Sequence, residues 1–170
     1  MLRRLILFFL LLLTACNGVN PSPAPPTATP TLPPSSLLCI WQTSPRQQAQ
    51  VTEVIDGDTI RVEVAGEEYK VRYIGVDTPE REQPFYAEAS QLNAELVEGQ
   101  TVLLVKDVSE TDQYGRLLRY VFVGDTFVNY ELVSRGYAAA VTFPPDVACE
   151  AMFRQAETEA RQAGRGLWAP

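Results

Sequence analysis

The sequence predicts an α+β domain, a small closed barrel of five strands with one helix inserted after the third strand and two more packed outside. Three observations lead there. Strand-like runs within residues 51–76 are joined by tight turns at Asp56-Gly57 and Ala65-Gly66-Glu67, which marks a meander. The elements run in the order three strands, one helix, two strands, then helices. The 170 residues suit one domain rather than two.

Taken in order, Val51-Thr52-Glu53-Val54-Ile55 is a short β-prone run that ends in the Asp56-Gly57 turn. Thr59 to Val64 alternates apolar and polar residues, as a half-buried strand does. Tyr69 to Val76 is the third strand. Phe85 to Val97 is the inserted helix: Ala87, Leu92, Leu96 and Val97 recur at roughly helical spacing, and Glu98-Gly99 ends it. Thr101 to Val105 and Leu117 to Val123 are the fourth and fifth strands, separated by a polar loop from Lys106 to Arg116. Two helices close the domain, Asn129 to Ser134 before Gly136 and Val147 to Ala163 before Gly164. The folded unit is expected from about Gln48 to Trp168.

The chain has no histidine, which excludes every mechanism that needs an imidazole as base, triad member or zinc ligand. Acid–base chemistry falls mainly to carboxylates. The formal net charge is −7, and losing Arg3 and Arg4 with a leader would make it more negative. Such a surface repels a polyanion at long range, so any phosphate site has to be locally positive.

Residues 1–15 read as an export signal, with Arg3 and Arg4 preceding an apolar run from Leu5 to Leu13. That run is shorter than the about 20 residues a membrane-spanning helix needs. Leu13-Thr14-Ala15-Cys16 resembles the bacterial lipoprotein processing box, which implies cleavage before Cys16 and its lipidation; the alternative is an ordinary signal peptide cut near Ala15. Residues 16–36 then form a Pro/Thr-rich tether, whose last twenty residues reach on the order of 60 Å as polyproline II. Residues 37–170 are the domain. Once Cys16 is lipidated an even pair remains outside the cytoplasm, so Cys39 and Cys149 are expected to form a disulfide; two separate buried thiols are the alternative.

Three clusters carry candidate chemistry: Asp56-Gly57-Asp58-Thr59, Asp77-Thr78-Pro79-Glu80 with Arg72 ahead of it, and Tyr114-Gly115-Arg116. Singly, each reads as a turn or a helix cap. Together they hold what phosphoryl transfer needs. Asp58, Asp77 and a backbone carbonyl are hard oxygen ligands for Ca²⁺. Glu80 is placed to act as base, and Arg72 and Arg116 to grip phosphate oxygens.

The segments Val54-Ile55-Asp56-Gly57-Asp58-Thr59, Arg72-Tyr73-Ile74-Gly75-Val76-Asp77-Thr78-Pro79-Glu80 and Asp112-Gln113-Tyr114-Gly115-Arg116 resemble the successive motifs of the thermonuclease family, and Gly164-Arg165-Gly166-Leu167-Trp168 resembles its C-terminal signature. No single motif is very specific; the ordered set is. The resemblance implies an OB barrel with three helices. It also implies Ca²⁺-dependent cleavage of DNA or RNA at the 5′ P–O bond, leaving 3′-phosphates. Carried over, Asp58, Asp77 and the Thr78 carbonyl bind the metal, Arg72 and Arg116 bind the scissile phosphate, and Glu80 activates water or positions it. Tyr114 lies near the terminal phosphate of a bound nucleotide. The chain departs from the family in two respects. It is acidic where the best-known member is basic, and it has Thr142-Phe143-Pro144-Pro145 where that member lines its nucleotide pocket with two tyrosines. Phe143 is expected to replace one of those two stacking surfaces. The expected partners are nucleic acid as substrate and a membrane through the lipid anchor, with the domain a monomer. Two rival readings remain: an OB-fold binding module without hydrolysis, and an exported structural lipoprotein whose acids merely bind Ca²⁺.

Overall fold

The computed structural model describes residues 39–40 and 43–170. The export signal, Cys16 and the tether lie outside the described residues. Strand β1 (Arg46–Val54) pairs antiparallel with β2 (Thr59–Val64), and β2 with β3 (Glu67–Tyr73). On its other edge β1 pairs with β5 (Thr101–Val105), which pairs with β6 (Leu117–Val123). A parallel pairing of β3 with β6, through Val71↔Leu117 to Tyr73↔Arg119, closes the barrel. Five strands therefore form the OB barrel, with no open edge left between β3 and β6.

Three helices cover it: α1 (Tyr86–Val97), α2 (Val128–Ser134) and α3 (Glu150–Gln162). Ile60, Val62, Val71, Val102, Leu104, Val121 and Phe122 are buried to 1% exposure or less, so the alternating faces of the strands supply the core. Tyr120, Phe127 and Phe153 join β6 to α3 through ring contacts of 5.6–6.2 Å. Short β7 (Thr126–Phe127) and β8 (Ala139–Ala140) had no separate signal in the sequence.

Several boundaries differ from those the sequence predicts, each for a local reason. β1 begins at Arg46 rather than Val51, because β5 recruits the polar run ahead of it, pairing Arg46 with Val105. The folded unit reaches further still, since Ile40 is buried in the core. The third strand stops at Tyr73. Ile74 and Gly75 turn the chain, and β4 (Val76–Asp77) leaves to pair with β8. Buried Asn129 fixes that turn: its Nδ2 donates to the Ile74 carbonyl at 2.9 Å, and its Oδ1 accepts the Val121 amide at 2.9 Å. Helix α3 starts at Glu150, not Val147. The Ala148 amide donates instead to Asp107 Oδ2 at 3.0 Å and the Cys149 amide to the Tyr120 hydroxyl at 3.4 Å. The Cys39 and Cys149 sulfurs lie 2.02 Å apart, joining the start of the domain to the N-terminus of α3.

Candidate active site

The loop between β1 and β2 places Asp58 at the barrel's end, 5% exposed. The Asp58 amide donates to Asp56 Oδ1 at 3.0 Å, an Asx-type turn that the Asp-Gly-Asp sequence encodes locally. Gly57 is there for space: a Cβ on it would meet the Thr78 side chain at 2.7–2.9 Å. That approach lets Thr78 donate to Asp58 Oδ2 twice, from its amide at 2.8 Å and its hydroxyl at 2.9 Å. Behind the loop, the Tyr73 hydroxyl donates to Asn93 Oδ1 at 2.8 Å, and Asn93 Nδ2 donates to the Asp56 carbonyl at 2.8 Å. Helix α1 thus holds the first motif in place.

Arg72, near the end of β3, is the hub. Its Nη1 lies 2.9 Å from Asp58 Oδ2 and donates to the Val76 carbonyl at 2.9 Å, while Nη2 donates to Asp77 Oδ1 at 2.7 Å. The turn at Gly75 makes this possible, because it folds β4 back so that residues 76 and 77 face the guanidinium they follow. Asp58 is so enclosed that burial pushes its carboxyl up to about 6, against the pull of Arg72 and the Thr78 hydrogen bonds and with a further push from Asp56.

Asp58 and Asp77, which flank Arg72, are the side chains that could hold a hard divalent cation. Among the described residues no three acidic or cysteine side chains converge into a ready cage. Two carboxylates and a backbone carbonyl are instead a partial oxygen set, of the kind that leaves Ca²⁺ positions for water or phosphate oxygens.

The third motif meets the second across a cleft of about 410 Å³, lined among others by Arg72, Asp77, Tyr114, Arg116, Phe143 and Asp146. Asp112 shapes this wall. Its Oδ1 accepts the amides of Tyr114 and Arg116 at 2.9 and 3.0 Å, and its Oδ2 accepts Arg116 Nε at 2.7 Å. Burial raises the Asp112 carboxyl, but these hydrogen bonds outweigh it and hold the group below its ordinary value. Arg116 reaches Asp112 through its Nε, and its guanidinium lies 5.5 Å from the Tyr114 ring centre. Tyr114 and Phe143 are 75% and 69% exposed, two aromatic faces on the rim of one cleft. A larger groove of about 730 Å³ lies between α1, α2 and the C-terminal segment, with Glu88, Glu95, Arg135 and Arg165 in its lining. Its mixed charges show no comparable convergence.

The structure thus brings Asp58, Arg72, Asp77 and Thr78 into one cluster, with Tyr114 and Arg116 facing it. Glu80 stands apart. It is exposed, two residues beyond Thr78, and outside the lining of the cleft. Its amide donates to Gln83 Oε1 at 2.8 Å, and its carboxylate has no partner among the described residues. Sequence reasoning assigned no part to Asn93, Asp112 or Asp146. Asn93 had one usable signal, a polar residue on the apolar side of a predicted helix. Asp146, after two prolines, had none.

Barrel, arginines and paired aspartates are the components that a phosphoryl-transfer site uses. Residues 70–170 match the family described as Staphylococcal nuclease homologue. The chain is 38% identical over 124 residues to the thermonuclease of Staphylococcus intermedius, covering 69% of this chain and 74% of that one. It is 37% identical over 128 residues to the thermonuclease of Staphylococcus hyicus, covering 72% and 76%. It is also 38% identical over 122 residues to the endonuclease YncB of Bacillus subtilis, covering 67% of this chain and 58% of that longer one. The chain belongs to the staphylococcal nuclease homologue family, and with it to the nuclease hydrolases.

Proposed function

We propose that this chain is a Ca²⁺-assisted endonuclease that hydrolyses phosphodiester bonds of DNA or RNA and leaves 3′-phosphate ends. The observation that carries the reading is the convergence of Arg72, Asp77, Tyr114 and Arg116 on one cleft, with Asp58 and Thr78 directly behind it. Asp58, Asp77 and the Thr78 carbonyl would hold the metal. When bound, it supplies positive charge beside the scissile phosphate.

The protein's own groups do the rest. The Arg116 terminal nitrogens and the Arg72 guanidinium hold non-bridging oxygens and are worth most when the phosphorus is five-coordinate and carries more negative charge. Glu80 accepts the proton of the attacking water. The water oxygen bonds to phosphorus, the P–O5′ bond breaks, and the departing 5′ oxygen takes a proton from solvent. Tyr114 and Phe143 offer faces on which flanking bases stack.

Residues 1–36 support an exported protein anchored by lipid at Cys16. Its expected working unit is a monomer. Release from the membrane fraction on Cys16→Ser would check the anchor.

The deciding experiment incubates the full chain with single-stranded DNA, with Ca²⁺ or with excess chelator, beside Glu80→Gln. Cleavage that needs Ca²⁺ and falls about 10²-fold or more in the variant is expected. A folded protein that binds Ca²⁺ and oligonucleotide without cutting would favour the binding-module reading instead.

A further inference from the structure

The cleft has two walls on separate stretches of chain. Residues 106–116 carry Asp112, Tyr114 and Arg116, and residues 141–149 carry Phe143 between β8 and α3. A carboxylate from each wall reaches across to backbone amides of the other. Asp146 Oδ1 accepts the Val108 and Ser109 amides at 2.9 and 2.8 Å. In the opposite direction, Asp107 Oδ2 accepts the Ala148 amide at 3.0 Å and the Tyr120 hydroxyl at 3.0 Å.

Three features suggest that this arrangement serves geometry rather than bulk stability. Asp146 is 8% exposed and, like Asp107, forms no ion pair among the described residues. Burying a carboxylate on amide donors alone gains little stability over an apolar contact. Val108 is 56% exposed, so side-chain packing contributes little to holding that end of the loop. The far end has separate anchors, with Thr111 bridging Leu117 and the Leu118 amide donating to the Glu110 carbonyl at 3.0 Å. What the carboxylates add is a fixed spacing between the two walls, since charge-assisted hydrogen bonds tolerate little change in length or angle.

We propose that Asp146, with Asp107, is a positioning residue of the cleft: a reciprocal clasp that holds the Tyr114–Arg116 wall at a set distance from the Phe143 wall and so places Arg116 on the scissile phosphate. The proposal rests on the nuclease reading above. Asp146 touches no reacting atom and works through Arg116.

The test uses the full chain. Asp146→Ala is measured alone and in an Arg116→Ala background, with kcat/KM on single-stranded DNA and amide hydrogen exchange of residues 106–116 as readouts. Displacement of a catalytic group by about 1 Å costs about 10²-fold, and that loss is expected for Asp146→Ala alone. In the Arg116→Ala background the same change costs less than about threefold, because the group it positions is gone. Exchange of residues 106–110 accelerates while the barrel strands keep their protection. Asp146→Asn, whose Oδ1 still accepts both amides, recovers most of the activity. An equal loss in both backgrounds overturns the clasp, as does unchanged exchange, or an Asn variant as poor as the Ala one. If Asp146→Ala does not fold, Asp146→Ser, whose shorter side chain cannot span to both amides, takes its place in both backgrounds with the same readouts and the same overturning results. A wild-type protein that cleaves nothing would sink the nuclease reading and Arg116's catalytic part with it, whereas unchanged exchange in an active protein would sink the clasp alone.

Discussion

Replacing Gly75 by alanine tests the turn on which the candidate site depends. Gly75 has φ +78°, and a Cβ there would lie 2.6 and 2.7 Å from two atoms of the Phe153 ring. A non-glycine residue in left-handed backbone costs about 1–3 kcal/mol. The ring cannot retreat cheaply, because Phe153 is 1% exposed and packed against Tyr120 and Phe127. Overpacking of that kind adds about 1–3 kcal/mol. The sum, about 2–6 kcal/mol, is a large part of the 5–15 kcal/mol typical of a domain. For a folded unit of about 130 residues, each kcal/mol lowers Tm by about 3–4 °C, so a drop of about 7–20 °C is expected by calorimetry. Gly124→Ala is the matched control, with φ +54° and nothing within 4 Å of the added methyl. It should show only the backbone cost and unfold about 4–10 °C above Gly75→Ala. Equal Tm values for the two variants would refute the claim that Phe153 closes this turn. Where Gly75→Ala still folds, it should also lose activity, because the turn aims the Val76 carbonyl and Asp77 at Arg72.

Two further predictions follow from the same geometry. Arg116→Lys keeps the charge but cannot serve Asp112 and a phosphate from one planar fork; cleavage should fall about 10²–10³-fold with Tm nearly unchanged, and activity within threefold of wild type would remove Arg116 from the mechanism. Reducing the bond between Cys39 and Cys149, which are 110 residues apart in sequence, should cost about 4–5 kcal/mol in the chain-entropy model, or about 15 °C in Tm; a shift below about 3 °C would mean that the bond constrains little.

Much of the site is legible in the amino-acid sequence because its parts are local. Asp56-Gly57-Asp58 encodes its own Asx turn, and Tyr114-Gly115-Arg116 sits in a polar loop between two apolar, strand-like runs. The order of motifs then identified the family, which the comparison over residues 70–170 bears out. Glu80 was legible only as a residue type. The structure puts it outside the cleft lining, and its proposed part remains for the Glu80→Gln test.

The sequence by itself determined the meander, the inserted helix, the absence of imidazole chemistry and the inventory of acids and arginines, since these depend on composition and on neighbours a few residues apart. Only the tertiary structure decided where that inventory meets. The parallel closure of β3 on β6 brings Arg72 opposite Leu118, two residues after Arg116, although 46 positions separate Arg72 from Leu118 in the chain. The break at Gly75 depends on Phe153 and Asn129, far along the sequence. The Asp107–Asp146 clasp joins two loops with no local signal between them. Such contacts form only when burial brings distant segments within hydrogen-bond reach, and the requirement that buried polar groups find partners then selects which residues meet.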